Sequence, residues 1–220
     1  MGERSVMKNK NADPVKTVYY TDERNDEFAN DNIVAKKIDE NYVYVDERLR
    51  WKLLRFLSYR LIAMPIAFLY CKIALHSTFR NRQVLKQAKG KGCFVYGNHT
   101  QQIGDPFIPN LALFPRSVYM IVHPNNVSMP VLGRITPYLG ALPLPANLKA
   151  MRNFRDAIRI RIAQKNFVMI STWNEYGEGT YIMPSGLNGF GYVDEISTSI
   201  SSISSSLRTE ELTSISIAIL

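Results

Sequence analysis

The chain has 220 residues, 46% apolar and 21% charged, enough for one domain with a substantial core. Its net charge of +8 is unevenly spread: residues 1–165 hold 26 Lys and Arg against 13 Asp and Glu, whereas residues 166–220 hold one basic residue, Arg208, and six acidic ones. The basic portion suits an anionic partner, and with no recognition-helix pattern, zinc-ligand spacing or RNA-binding aromatic motif the composition argues against nucleic acid and for a membrane surface or a phosphorylated substrate. Cys71 and Cys93 are too few for a disulfide framework and read as buried thiols in a reducing compartment.

Residues 1–14 are polar, without the apolar stretch of a signal peptide, and are expected to lack order. Between residues 15 and 51, Ile33 to Lys37 and Tyr42 to Val45 flank a turn at Asp39-Glu40-Asn41, the pattern of a small hairpin that caps the main domain or packs on the next element. Trp51 to Lys72 is an apolar helix whose uninterrupted core, Leu61 to Cys71, spans only about 17 Å against a bilayer core of about 30 Å. Arg55, Arg60 and Lys72 flank it and Pro65 predicts a kink. It reads as a helix lying at a membrane interface, with Trp51, Tyr59 and Tyr70 near headgroup level and the cations toward lipid phosphates, or as a core helix.

Cys93 to Tyr96 reads as a buried strand, with Gly97 turning the chain into Asn98-His99-Thr100-Gln101-Gln102-Ile103-Gly104-Asp105. An imidazole and a carboxylate so close can share a cleft, His99 taking a proton and Asp105 fixing its tautomer, or they can form a plain hydrogen-bonded turn. Pro106 to Leu113 reads as a short helix and Val118 to Val122 as a second strand, with His123 and His76 in turn roles. Leu148 to Gln164 has helical periodicity, with Asn147 as N-cap, Ala150, Phe154, Ala157, Ile158 and Ile162 on the core side and Arg152, Arg155, Arg159, Arg161 and Lys165 on a wet side. Phe167 to Ile170 is a third strand, and the Ser/Ile-rich stretch 197–220 reads as a tail without a helical face.

The Asn98-His99…Asp105 stretch resembles the first motif of the glycerolipid acyltransferases, the lysophosphatidic acid acyltransferase-like family, over about residues 15–165. The family spaces its His and Asp by four residues; here there are five, and a turn at Gly104 absorbs the extra one, much as in a bacterial branch of the family. Gly133 to Pro145 is similar to the family's second, glycerol-phosphate-binding region. The resemblance implies an α/β fold, a partial glycerol-phosphate acyltransferase-like sheet flanked by helices, with an amino-terminal apolar helix and an irregular carboxyl-terminal tail.

The implied activity is transfer of a fatty acyl group from acyl-CoA or acyl-carrier protein to a lysophospholipid such as 1-acyl-glycerol-3-phosphate, at the cytoplasmic face of a membrane. His99 would be the base and Asp105 its orienter, with Asn98, Arg134, Lys149, Arg152 and Glu178 binding substrate, and with no metal or bound organic cofactor required. Glu178-Gly179-Thr180 has the letters of the family's third motif but lacks the Phe-Pro flank and stands too far from its strand.

Ser171 to Pro184 instead resembles the last strand and loop of the (β/α)8 glycosidase-like domains of polysaccharide-biosynthesis proteins, with Glu175 and Glu178 as carboxylates. With no barrel before residue 166, that segment implies no glycosidase of its own. The chain thus divides into 1–50, a polar extension; 51–165, a truncated acyltransferase-like domain; 166–196, a segment of foreign character; and 197–220, the tail. The alternatives to an active acyltransferase are an inactive one, a non-catalytic membrane-surface protein and a fragment of a carbohydrate-active protein.

Overall fold

The computed structural model describes residues 33–98, 104–170, 184, 186 and 189–206. Its centre is a sheet of β1 (Cys93–Tyr96), β2 (Val118–Val122), β3 (Ala141–Pro143) and β4 (Phe167–Ile170), ordered β1-β4-β2-β3 with every neighbouring pair parallel. Met169 of β4 lies opposite Val95 of β1 on one side and Met120 of β2 on the other. Parallel strands joined by crossovers are covered on both faces, which is why CFVY, VYMIV and FVMI are unbroken apolar runs and why their bounds can be read from sequence.

The α-helices in chain order are α1 (Leu49–Phe56), α2 (Met64–Leu69), α3 (Ile108–Ala112), α4 (Leu132–Leu139), α5 (Leu148–Ala163) and α6 (Gly191–Ser206). Phe154, Ala157, Ile158 and Ile162 of α5 pack on Phe94, Tyr119 and Val168 to form one half of the core. Asn147 Oδ1 accepts from the Ala150 backbone N–H at 2.9 Å, so the predicted cap starts this helix. On the opposite face, Val95, Val118, Phe167 and Met169 meet Ala112, Leu113 and a 3-10 turn, Arg82–Ala88. Burying side chains of this size contributes about 1.5–3 kcal/mol each.

One expectation for α5 is corrected. Arg161 is 7% exposed, not on the wet side. It stands three residues after Ile158, four after Ala157 and seven after Phe154, within the buried stripe, and its guanidinium lies 4.5 Å from the Tyr119 ring centroid.

Two glycines are held by close approach. Gly140 ends α4 at φ 105°, and a Cβ there would meet Val118 O at 2.6 Å; at Gly92, before β1, a Cβ would meet Ile162 O at 2.2 Å. Gly97 is under no such constraint, since a Cβ there would make only an ordinary contact, 3.6 Å, with Met169.

Leu49–Ala74 is one continuous helix of 26 residues, longer than the apolar run implied. Pro65 does not break it, because the turn Leu57–Ala63 widens to π geometry and the Met64 N–H bonds back to Tyr59 O. Tyr59, Met64, Ala67 and Cys71 are buried against Leu111 of α3, while Leu53, Leu57, Leu61, Ile66, Leu69 and Ile73 stay exposed.

The expected headgroup-level arrangement is also corrected. Trp51 stacks on Tyr138 (4.1 Å), Tyr70 meets Phe107 edge-on (6.0 Å) and Tyr59 is buried, so these aromatics face the domain. Arg55 and Arg60 bond the backbone carbonyls of Tyr138 and Pro115, and Lys72 that of Ser77. Each aromatic gains a protein partner on the packed side of the helix.

The expected Asp39 turn is present, with the Tyr42 N–H donating to Asp39 O at 3.1 Å and the Asn41 N–H to Asp39 Oδ1 at 2.9 Å. Among the described residues its flanks do not pair as strands. They run as an extended strap whose Ile38 and Tyr44 are buried on α5, tied by the Ala146 N–H to Ile38 O at 2.9 Å. The fold also crosses the change of composition at residue 165, since β4 lies beyond it and between β1 and β2. Where an irregular tail is expected, α6 runs through Ser206, and Ser201 Oγ donates to Ser197 O at 2.8 Å.

Candidate functional site

In an open parallel sheet the carboxyl ends of the strands form the edge at which loops diverge and ligands bind. β1 delivers Tyr96, Gly97 and an exposed Asn98 to that edge. His99, the residue read as base, follows immediately but lies outside the described residues. The chain is described again at a buried Gly104 and a half-buried Asp105. Gly104 O accepts from the Phe107 and Ile108 N–H groups at 2.8 and 2.9 Å, so Gly104–Phe107 is a turn leading into α3.

That turn is anchored by a pair the sequence reading missed. Asn110, 8% exposed, donates through Nδ2 to Pro106 O at 2.6 Å and accepts at Oδ1 from the Tyr59 hydroxyl at 2.5 Å. The same hydroxyl accepts from the Val118 N–H at 3.4 Å. Burial raises the Tyr59 phenol above its ordinary pKa, keeping the proton it donates. A helix packed on the domain, a strand and the residue after Asp105 therefore share one hydroxyl.

The other described substrate-binding candidates lie on two helices. Arg134 is exposed on α4. Lys149 and Arg152 are exposed on the first turns of α5, which departs from β3. β1 and β3 are opposite edges of the sheet, three spacings or roughly 14 Å apart. Lys149 faces a shallow groove with Lys37, Asp39, Glu40, Asn147 and Leu148. Glu178 and Glu175 lie outside the described residues; their segment follows β4, the strand beside β1. His123 is a turn residue, its Nδ1 accepting from the Asn125 N–H at 3.3 Å. His76 is exposed just past the helix at φ 49°.

A separate cavity of about 300 Å³ opens at the amino edge of the sheet, lined by Trp51, Arg55, Tyr59, Tyr119 and Arg161 together with Asp46 and the Glu47–Lys52 pair. Arg55 and Arg161 stack on the Tyr119 ring at 4.3 and 4.5 Å. Arg55 Nη1 donates to Tyr138 O at 2.9 Å, and Arg161 to Gln164 Oε1 at 3.1 Å and Tyr44 O at 3.4 Å. Arg55 Nη2 and Arg161 Nε are buried without a hydrogen-bond partner. Leaving such a donor unpaired costs about 1–3 kcal/mol.

Asp46 is occupied by Arg48, which holds its carboxyl down to about 2, and Glu47 by Lys52 at 2.5 Å. Among the described residues neither Arg55 nor Arg161 has a carboxylate within 4 Å. Burial lowers the Arg55 pKa, with the Arg161 charge pushing the same way against Tyr119.

The chain matches no protein-family description, no curated protein and no solved structure.

The carboxyl edge can present an amide and a carboxylate beside β1, and the amino edge can present two guanidiniums inside a cavity. Among the described residues no cluster of His, Cys, Asp and Glu could hold a metal ion. Helical spacing alone marks Arg161 as inward, a signal present in the sequence. Nothing local marks Arg55 or Asn110, whose burial depends on how the long helix crosses the sheet.

Proposed function

We propose that this chain is an acyltransferase of the lysophosphatidic acid acyltransferase-like type, acting at the cytoplasmic face of a membrane as a peripheral or monotopic protein. The observation that carries the reading is that Asn98 and Asp105 bracket His99 directly after the carboxyl end of a parallel strand, the edge where open α/β sheets keep their chemistry. The four-stranded sheet is then the front part of an acyltransferase-like sheet.

In this mechanism His99 takes the proton of the lysophospholipid hydroxyl as its oxygen attacks the thioester carbonyl of acyl-CoA or acyl-carrier protein. The tetrahedral intermediate collapses, the C–S bond breaks and the imidazolium returns its proton to the leaving thiolate. Asp105 holds the imidazole tautomer and stabilises the imidazolium. Asn98 donates to the acceptor lipid. Arg134, Lys149 and Arg152 reach the substrate phosphate only if the lipid extends along the edge toward β3, and Glu178 enters from the strand beside β1. An assay of acyl transfer from acyl-CoA to 1-acyl-glycerol-3-phosphate, comparing the chain with its His99→Ala form, tests the reading.

A second reading, a membrane-surface protein without turnover, is favoured by the exposed apolar side of Leu49–Ala74, which needs no contribution from His99. That helix packs one side on the domain and leaves Leu53, Leu57 and Leu61 outward, the arrangement of a helix lying in an interface. Liposome binding with no acyl transfer selects this reading.

A further inference from the structure

We infer that the cavity at the amino edge of the sheet is a second, oxyanion-binding site, taking a phosphate group through Arg55 and Arg161. It lies across the sheet from Asn98 and Asp105 and does not depend on the acyltransferase reading.

Three observations converge. Both guanidiniums are drawn into the protein beside one aromatic ring, and Arg161 is 7% exposed. Each keeps one buried donor unused, Arg55 Nη2 and Arg161 Nε, while the nearest carboxylates are taken by Arg48 and Lys52. The Arg161 charge acts unfavourably on the Arg55 charge in this partly buried site, and an anion reaching both relieves that cost. A tetrahedral oxyanion has acceptors in enough directions to serve both guanidiniums, with Lys52, paired to Glu47, lining the same cavity. The volume, about 300 Å³, is at the lower end of small-molecule sites, so a phosphate ester fits the space as well as the charge.

Two sources of that group are open to this geometry: a soluble phosphate compound, or a phosphomonoester headgroup delivered along the long helix, whose outer side is apolar.

The test uses the full chain in a neutral detergent with Trp173→Phe, leaving Trp51, which lines the cavity, as the lone tryptophan, excited at a wavelength that tyrosine does not absorb. Inorganic phosphate and glycerol 3-phosphate are titrated against chloride at matched ionic strength. In a parallel arm, vesicles of phosphatidylcholine with and without phosphatidic acid are added to the detergent-free protein. A saturable Trp51 response is expected to the soluble phosphates, identifying a soluble ligand, or only to the phosphatidic acid vesicles, identifying a headgroup.

Arg161→Gln and Arg55→Gln should weaken that response at least about tenfold, and Arg155→Gln, which removes an exposed charge from the same helix, should leave it unchanged. Arg161→Gln should also abolish any gain in thermal midpoint that phosphate gives the unsubstituted chain. No saturable response in either arm, or equal weakening by Arg155→Gln, overturns the proposal. The Trp51 titration of the Arg-intact chain decides the matter even if an arginine variant does not fold.

Discussion

The Tyr59 hydroxyl donates to Asn110 Oδ1 at 2.5 Å in a buried position, and Asn110 in turn holds the carbonyl of Pro106, the residue after Asp105. Tyr59→Phe leaves that Oδ1 acceptor without its donor and should cost about 1–3 kcal/mol in denaturant unfolding. Tyr59→Phe combined with Asn110→Ala should cost clearly less than the sum of the two, because both act on one network. Additive losses would mean the pair does not work as a unit.

Arg116 ties the amino edge together. Its guanidinium bonds the carbonyls of Lys165 (2.7 Å), Ala88 (2.8 Å) and Lys91 and lies 4.0 Å from the Phe167 ring centroid. Arg116→Ala should lower stability by about 2–3 kcal/mol, and Arg116→Lys should recover little of it, since an ammonium cannot span three carbonyls in one plane. Equilibrium unfolding of both variants checks this.

Gly140→Ala should destabilise by about 1–3 kcal/mol, since it forces a side chain into φ 105° and against Val118 O. A thermal midpoint within a degree of the unsubstituted chain would contradict the tight approach of α4's end to β2.

Alkaline pH should unfold the domain. Burial raises the phenols of Tyr42, Tyr44 and Tyr59 above their ordinary value of 10.0, and Tyr44 also donates to Pro143 O at 2.8 Å. A group whose folded pKa is raised contributes stability that is complete below its unfolded pKa and is lost as pH climbs above it. Unfolding free energy should therefore hold to about pH 9 and fall progressively above pH 10, with a shallower fall in Tyr44→Phe.

Leu57→Glu with Leu61→Glu should cut co-sedimentation with liposomes strongly while changing the unfolding free energy by no more than about 0.5 kcal/mol per site, because both side chains already face outward. Unchanged co-sedimentation would remove the long helix from the membrane.

Much of the fold was legible because its signals are local. β1, β2 and β4 are short apolar runs between breakers, and α5 announces itself by period and by Asn147. β3 was not, being three residues that end in a proline and pair only with β2. The strap around Ile38 carries alternation that suggests a hairpin, yet tertiary burial on α5 draws it off as a single extended chain. Of the candidate site, the position of Asn98 after a buried strand was readable, since strand and motif adjoin. The separation of Lys149 and Arg152 from β1 was not, because it follows from strand order, which no local pattern encodes. The inward turn of Tyr59 and Arg55 was hidden for the same reason: an apolar helix shows which residues are apolar, not which side meets protein.

The most direct test of the account is the rate of acyl transfer from acyl-CoA to 1-acyl-glycerol-3-phosphate by the full chain and by His99→Ala, in detergent–lipid mixtures that keep both folded. The account predicts measurable transfer that falls by about 10²–10⁴-fold on substitution, with Asp105→Asn intermediate. Equal rates for the two proteins, or no transfer by either, would contradict it.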